Sequence, residues 1–297
     1  MEKTLPFVSV IVPVYNAKEM VGDCVESLLN QDYPKDRYEI IIVDNDSTDG
    51  TAEIIRRYPV QYLLEAGMHT SYAARNTGAR KARGELLAFC DADETAGRAW
   101  IRALVAALGE GYAGSAGPML PAPHEETLFM AYAASDANPH HFDAPTDIVV
   151  AVTGNVMYRR SAFKDLGGFD VQASGADLTF SRRVITELKM KLRFTPEAFV
   201  YHKPRTTLAK LLQHEARAAY GGESSHRDRP RPMLPILGQA LARLLKNAAV
   251  AAATLLLVWH ARFRRKCFWA AMNVLMIFAN LYGKLRYRLG GGVPRNW

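Results

Sequence analysis

Asp91-Ala92-Asp93 is the sharpest chemical signal in the chain. Two carboxylates one residue apart can share a hard divalent cation. Mg2+ or Mn2+ prefers oxygen ligands and commonly takes one or two carboxylates plus substrate phosphates. An isolated tripeptide of this kind is more often a solvated acidic turn. This one closes an apolar run at residues 85–90, and Asp44 closes another at residues 39–43. That placement favours ligand binding. Asp44 opens a second acidic cluster, Asp44-Asn45-Asp46-Ser47-Thr48-Asp49. The cluster lacks the glycine at the sixth position and the glutamate at the twelfth that a calcium loop needs. Ser47 or Asp49 is a natural helix cap, which leaves Asp44 as the ligand-facing carboxylate. His202 follows another strand-like segment, and a lone histidine is more often structural than a metal ligand. No phosphate loop, dinucleotide fingerprint or nucleophile elbow of the GxSxG type is present.

These residues must be positioned by strands and helices. Residues 7–14 are β-branched and apolar, a buried strand. Asn16 is a plausible cap for a helix whose face is Val21, Cys24, Val25, Leu28 and Leu29. Residues 39–43 form a second strand, 51–58 a short helix and 60–64 a third strand. Residues 71–83 read as a helix stopped by Gly84. A fourth strand spans 85–90 and another helix 100–108. Strand character returns at 148–158, and 178–188 reads as a helix. Strands alternating with helices at this spacing predict a mostly parallel sheet with crossover helices. Ligands in such sheets bind beyond the carboxyl ends of the strands, which selects Tyr15, Asp44 and residues 91–93.

Taken in order, the motifs resemble glycosyltransferase family 2. They are VSVIVPVYN at 8–16, DNDSTD at 44–49, AARNTGARKARGE at 73–85 and DAD at 91–93. TGNVMYRRSAFKDLGGFD at 153–170 resembles that family's acceptor-side segment. SGADL at 174–178 resembles its Gly-Glu-Asp element, with Ala176 in place of the glutamate. The resemblance implies an inverting enzyme of the GT-A fold, an α/β architecture with a mostly parallel, Rossmann-like sheet flanked by helices. It implies a domain over residues 1–220, with a nucleotide-binding half to about 115 and an acceptor-side half from 116. Pro13, Tyr15 and Asp44 would line the nucleotide-base pocket. Arg75 would lie near the nucleotide and Asp91 near the ribose. Asp93 would hold the metal, Mg2+ or Mn2+, that bridges the diphosphate of a nucleoside-diphosphate sugar. His202 would add a metal or diphosphate contact, and Asp177 would be the general base. Asp177 also reads as the N-cap of the helix that follows. Residues 212–217 are similar to the Gln-x-x-Arg-Trp element of processive synthases, but the spacing is Gln-x-x-x-Arg and the tryptophan is absent. A single addition is therefore expected. Arg217 would contact the diphosphate, or would lie on an amphipathic helix burying Leu208, Leu211 and Leu212. The acceptor would be a hydroxyl of an envelope polysaccharide or a lipid-linked glycan. Two other readings are a nucleotidyltransferase, for which PVYNAKEM offers no glycine-rich basic loop, and an inactive sugar-nucleotide-binding scaffold.

Charge is distributed unevenly along the 297 residues. Residues 1–202 carry 20 Lys+Arg and 27 Asp+Glu, a net of −7, whereas residues 203–297 carry 17 and 3, a net of +14. The basic residues of the tail, 221–297, are interleaved with apolar stretches at 248–259 and 267–283. Apolar plus basic favours an anionic membrane surface over nucleic acid, for which no recognition motif is present. Both stretches are shorter than the roughly twenty residues a spanning helix needs. A spanning hairpin would also place the basic loop 260–266 outside, against the positive-inside rule. A peripheral or monotopic helical tail on the cytoplasmic face of the cell membrane is expected. Three scattered cysteines exclude a disulfide scaffold. The first residues read as a strand and not as a signal peptide.

Overall fold

The computed structural model describes residues 5–123, 127–134, 144–171, 175–203, 205–224, 233–255 and 261–290. The chain divides into two units: residues 1–123, 137–172 and 176–203, and residues 124–136, 173–175 and 204–297.

The first unit is built on strands β1 (Val8–Val14), β2 (Tyr38–Asp44), β3 (Gln61–Leu64) and β4 (Leu86–Cys90), with helices α1 (Val21–Leu29), α2 (Thr51–Ile55) and α3 (Ser71–Lys81) between them. It continues through β5 (Glu94–Ala96), α4 (Trp100–Ala107), β6 (Tyr112–Ala116) and β7 (Met119–Pro121). Helix α5 (Leu128–Ala134) belongs to the second unit. The first resumes with β8 (Thr146–Ile148), β9 (Asn155–Arg159), α6 (Arg160–Asp165), α7 (Ala176–Thr186), β10 (Lys191–Phe194) and β11 (Val200–His202).

Among the described residues these strands form a sheet of order β3-β2-β1-β4-β9-β6-β10-β8 and a smaller one of order β5-β11-β7. Pairing is parallel from β3 through β4 and between β6 and β10, and β9 runs antiparallel between β4 and β6. Side chains alternate between the two faces of each strand. Val8, Val10, Val12 and Val14 join Val25, Leu28, Trp100 and Leu104 in one apolar cluster. Ile11, Ile41, Val43, Leu87 and Phe89 join Phe163, Phe169 and Phe180 in the other. Burial on both faces is why these strands read as unbroken apolar runs.

Several local readings change. Asn16 does not cap α1, whose N-cap is Met20 with no side-chain bond. Asn16 sits at φ 47°, its N–H donates to Ser47 Oγ at 2.9 Å and its Oδ1 accepts from Thr48 N at 2.9 Å. It ties the loop after β1 to the loop after β2. Gly50, not Ser47 or Asp49, is the N-cap of α2, although Asp49 Oδ1 accepts from Thr51 N at 3.0 Å. Gly84 does not stop α3, which ends at Ala82. A Cβ on Gly84 would lie 2.5 Å from Ser9 N, so the glycine is required by close backbone approach. The strand expected over 148–158 is two strands, β8 and β9, in different parts of the sheet.

The second unit contains α5, α8 (Leu208–Ser224), α9 (Met233–Leu255) and α10 (Ala261–Arg288). It takes in residues 204–220, which the motif boundaries placed with the first. Helices α8 and α10 meet closely, because a Cβ on Gly283 would lie 1.9 Å from the Ala216 carbonyl oxygen. Beside that crossing, Arg288 pairs with the buried Glu223 at 2.6 Å, and Tyr220 meets Tyr287 edge-on with ring centres 5.2 Å apart. Leu211 is buried against Tyr132 and Met272, whereas Leu208 is 39% exposed and leaves the expected apolar face. Part of the 248–259 stretch, residues 256–259, lies outside the described residues, as does Ser174. No described helix is long and apolar enough to cross a membrane.

Asn155 joins three elements of the first unit. Its Oδ1 accepts from Trp100 Nε1 at 2.7 Å, and its Nδ2 donates to the Pro118 and Ala198 carbonyls at 2.9 and 2.7 Å, all buried. Asn155→Ala leaves one donor and two acceptors unsatisfied, at about 1–3 kcal/mol for each group. Urea denaturation should show a loss of about 3 kcal/mol or more. An unchanged midpoint would mean that water replaces the amide.

Candidate active site

The site grows from the point where β1 and β4 part. Their ladder runs from Val8↔Leu86 to Ile11↔Phe89 and stops, while β1 stays paired with β2 to Val14↔Asp44. Val14 O accepts from Asn45 N at 2.8 Å, so Val14 faces β2 and, by alternation, Pro13 faces β4. Pro13 is buried and has no N–H to extend that ladder. The gap opens at a strand-order switch, where an α/β sheet accepts ligands. Tyr15, half-buried, stands at its rim.

Asp44 ends β2 with 1% exposure. Its Oδ2 accepts from Tyr62 OH at 2.9 Å and its Oδ1 from Ser47 N at 3.0 Å. Burial, with the Asp44 hydrogen bond, pushes the Tyr62 phenol up to about 12. Asn45 is buried with its amide nitrogen donating to the Glu65 and Met68 carbonyls and its oxygen accepting from Thr70 N, each at 3.1 Å. An aspartate could not supply those donors, which accounts for the asparagine here.

Arg75 lies one turn into α3, whose N-cap Thr70 accepts from Ala73 N. Its guanidinium is 3% exposed and pairs with Asp91. It also stacks over the Tyr72 ring, 5.2 Å from the ring centre. Burial opposes the arginine charge, but Asp91 and its neighbours hold the pKa above its ordinary value. Tyr72 OH in turn donates to Asp177 Oδ1 at 3.1 Å. Burial first, and then the Asp177 charge, raise the Tyr72 phenol well above its usual range and keep it a donor. Asp177 is the second residue of α7 and not its N-cap. Its Oδ1 also accepts from Leu178 N at 2.9 Å, while among the described residues its Oδ2 has only a 3.5 Å approach from Thr153 N. Ala176, where the resembling element has glutamate, is fully buried.

Asp91 and Asp93 are one-third exposed. Asp93 Oδ2 lies 3.3 Å from Nε2 of His202, the last residue of β11. Two adjacent ligands of an octahedral cation with bonds of about 2.1 Å stand about 3 Å apart, so this oxygen and nitrogen fit one divalent ion. Among the described residues no group of three or more His, Cys, Asp or Glu side chains converges on a cation. The remaining ligands would therefore come from substrate or water. Behind the pair lies Glu94, 1% exposed. Its Oε2 accepts from Asp91 N at 2.8 Å, and among the described residues its Oε1 has no partner. Burial, and then the charges of Asp91 and Asp93, push the Glu94 carboxyl well above its ordinary range.

The structure thus brings together Pro13, Tyr15, Asp44, Arg75, Asp91, Asp93, His202 and Asp177 in the first unit. Arg217 is on α8 in the second, its pKa lowered by burial and by Arg205. Tyr72, Thr153 and Glu94 are additions. Tyr72 and Arg75, three residues apart, share a helical face, which was the one available signal for the tyrosine.

The profile of glycosyl transferase family 2 matches residues 9–167, and the chain belongs to that family. Glycosyltransferase AglE of Haloferax volcanii is 34% identical over 229 residues, covering 74% of each chain. Among solved structures, the mannosyltransferase PcManGT of Pyrobaculum calidifontis superposes with a TM-score of 0.64 at 21% identity, over 95% of this chain and 89% of that one. Residues 1–349 of Staphylococcus aureus TarS superpose with a TM-score of 0.55 at 16% identity, over 97% and 93%. The protein is a family 2 glycosyltransferase of the GT-A fold. The nucleotidyltransferase reading is set aside.

Tyr72→Phe removes one oxygen and keeps the ring under Arg75. The variant should stay folded, losing about 1 kcal/mol. Its glycosyl-transfer kcat should fall about tenfold with little change in KM. A raised KM with kcat unchanged would give Tyr72 a binding role.

Proposed function

We propose that the protein transfers a sugar from a nucleoside-diphosphate donor to a hydroxyl of an envelope polysaccharide or lipid-linked glycan, with inversion at the anomeric carbon. The observation that carries this reading is the contact chain Asp91–Arg75–Tyr72–Asp177, which links a carboxylate at the sheet switch point to a carboxylate on α7. Supporting it, PcManGT is solved with GDP-Man and Mn2+, and TarS with UDP-GlcNAc. The curated relatives include a poly(ribitol-phosphate) β-glucosyltransferase, 36% identical over 30% of this chain.

In this reading Tyr15 and Asp44 flank the base, with Asp44 fixed by Tyr62 and Ser47. Asp91, tethered by Arg75, meets the ribose. Asp93 and His202 would hold Mg2+ or Mn2+, which supplies charge neutralisation for the departing diphosphate. Tyr72 and the Leu178 N–H occupy Asp177 Oδ1, leaving Oδ2 to take the acceptor proton. The acceptor oxygen then bonds to the anomeric carbon as the carbon–diphosphate bond breaks on the opposite face. One displacement inverts the centre without an enzyme nucleophile.

Asp177→Asn should lower turnover about a hundredfold or more while nucleotide binding is retained. Asp93→Ala should abolish transfer and weaken metal-dependent nucleotide binding. Product of retained configuration would refute single displacement. Nucleotide binding by the wild type with no transfer or diphosphate release would favour the scaffold reading.

We further propose that the second unit holds the protein on the cytoplasmic membrane face. Leu237, Leu241 and Leu245 on α9, and Leu275, Phe278 and Tyr282 on α10, are exposed apolar residues at helical spacing on a strongly basic segment. Basic residues near an anionic surface contribute about 1 kcal/mol each. The chain should cosediment with anionic vesicles, more weakly in high salt, and Phe278→Glu with Leu241→Glu should release it. Equal retention on neutral vesicles would exclude the electrostatic part.

A further inference from the structure

Glu94 is a carboxylate at 1% exposure to which the transfer reading gives no task. The chain turns between β4 and β5 over Asp91–Glu94, and both carboxylates of the DAD motif ride on that turn. Glu94 closes the turn twice. Its N–H donates to the Asp91 carbonyl at 3.1 Å, and its Oε2 accepts from Asp91 N at 2.8 Å. A β-turn ordinarily has only the first of these bonds. The second engages the remaining main-chain group of Asp91, so Asp91 is held through both its N–H and its carbonyl. Asp93, inside the turn, is held from β11, because Lys203 N donates to its carbonyl at 2.9 Å.

Glu94 also faces the other member of the candidate metal pair. In the antiparallel pairing of β5 with β11 it stands directly opposite His202. Glu94 thus follows Asp93 in sequence, binds the main chain of Asp91 and lies across the ladder from His202. The 3.3 Å between Asp93 Oδ2 and His202 Nε2 is spanned by a frame that Glu94 completes.

The carboxyl has a shaped seat. A Cβ on Gly154 would overlap Glu94 Oε1 and lie 3.0 Å from its Cδ and 3.1 Å from its Oε2. Those are the three nearest atoms such a Cβ would meet, and all belong to Glu94. Gly154 is outside the left-handed region, so its backbone would accept alanine. The glycine makes room for this one side chain.

We propose that Glu94 is a positioning residue for the divalent cation. It touches neither cation nor substrate, and it sets the turn that aims Asp93 at His202. This role rests on the transfer reading only in that Asp93 and His202 hold the metal.

Mn2+ binding to the full chain, without donor or acceptor, is read from loss of the free-ion EPR signal, with thermal unfolding followed in parallel. Glu94→Ala should weaken Mn2+ at least about tenfold, the usual scale for a group that orients a ligand. Glu94→Gln keeps an acceptor of the same reach and should stay within about threefold of the wild type. Gly154→Ala should weaken Mn2+ as Glu94→Ala does, and the double variant no further, because the added methyl acts through the carboxyl it displaces. It carries the same forecast should Glu94→Ala fail to fold. Leu104→Ala, which opens a cavity in the apolar cluster behind β1, should lower the unfolding midpoint and leave Mn2+ affinity unchanged.

Unchanged affinity in Glu94→Ala would overturn the role. Glu94→Gln as weak as Glu94→Ala would overturn it too, since charge and not the hydrogen bond would then hold the cation. So would additive losses in the double variant, or a loss in Leu104→Ala equal to that in Glu94→Ala. Asp93→Ala separates the two readings. If it alone loses Mn2+, the metal pair stands and only the Glu94 role falls. If it binds Mn2+ as the wild type does, the metal pair falls and the Glu94 role falls with it.

Discussion

A guanidinium at 3% exposure is the constraint around which the catalytic unit is arranged. An arginine cannot shed its proton to relieve burial, so the surroundings must supply charge and contact. Asp91 supplies the charge and the Tyr72 ring the contact. Each partner is thereby fixed in turn. Asp91 is held at the end of β4, where its backbone N–H meets Glu94. Tyr72 is held with its hydroxyl aimed at Asp177, across 105 residues of sequence. Removing one partner of such a pair is far more costly than its net worth suggests, because the other charge stays buried.

The same short helix, α3, does two further jobs close by. Asn76 Nδ2 donates to the Phe169 carbonyl at 2.8 Å and its Oδ1 accepts from Phe169 N at 3.0 Å, anchoring the aromatic cluster. Gly78 lets α3 settle on the sheet, since a Cβ there would come within 2.5 Å of Ile11. The ARNTG run is therefore one packing solution. It seats the helix, ties it to the acceptor-side segment and leaves Arg75 inside.

Much of this was legible in the sequence. Buried strands announce themselves as apolar runs, and their carboxyl ends select Asp44 and residues 91–93 before any family is considered. What was not legible depends on partners brought from far away. Glu94 looks like one more acidic residue of a turn until β5 places it under Asp91. Asn45 looks like one more polar residue of an acidic turn until its amide is seen between three backbone groups. Gly84 looks like a helix stop because glycine often is one, whereas close approach to Ser9 is visible only once β1 and β4 are adjacent. In the helical unit, Leu208, Leu211 and Leu212 read as one buried face of α8. Burial instead follows small residues at the α8–α10 crossing and leaves several leucines outside.

Pro13 has a consequence beyond ending a ladder. The mouth between β1 and β4 is set by a missing main-chain donor, and its position along the sheet is counted in residues from the start of the pairing. In the proposed reading the donor would meet this backbone lattice, while an acceptor would meet loops and helices that obey no such ruler. The protein is in that sense a fixed jaw and an adjustable one, and the dividing line is a single imino acid.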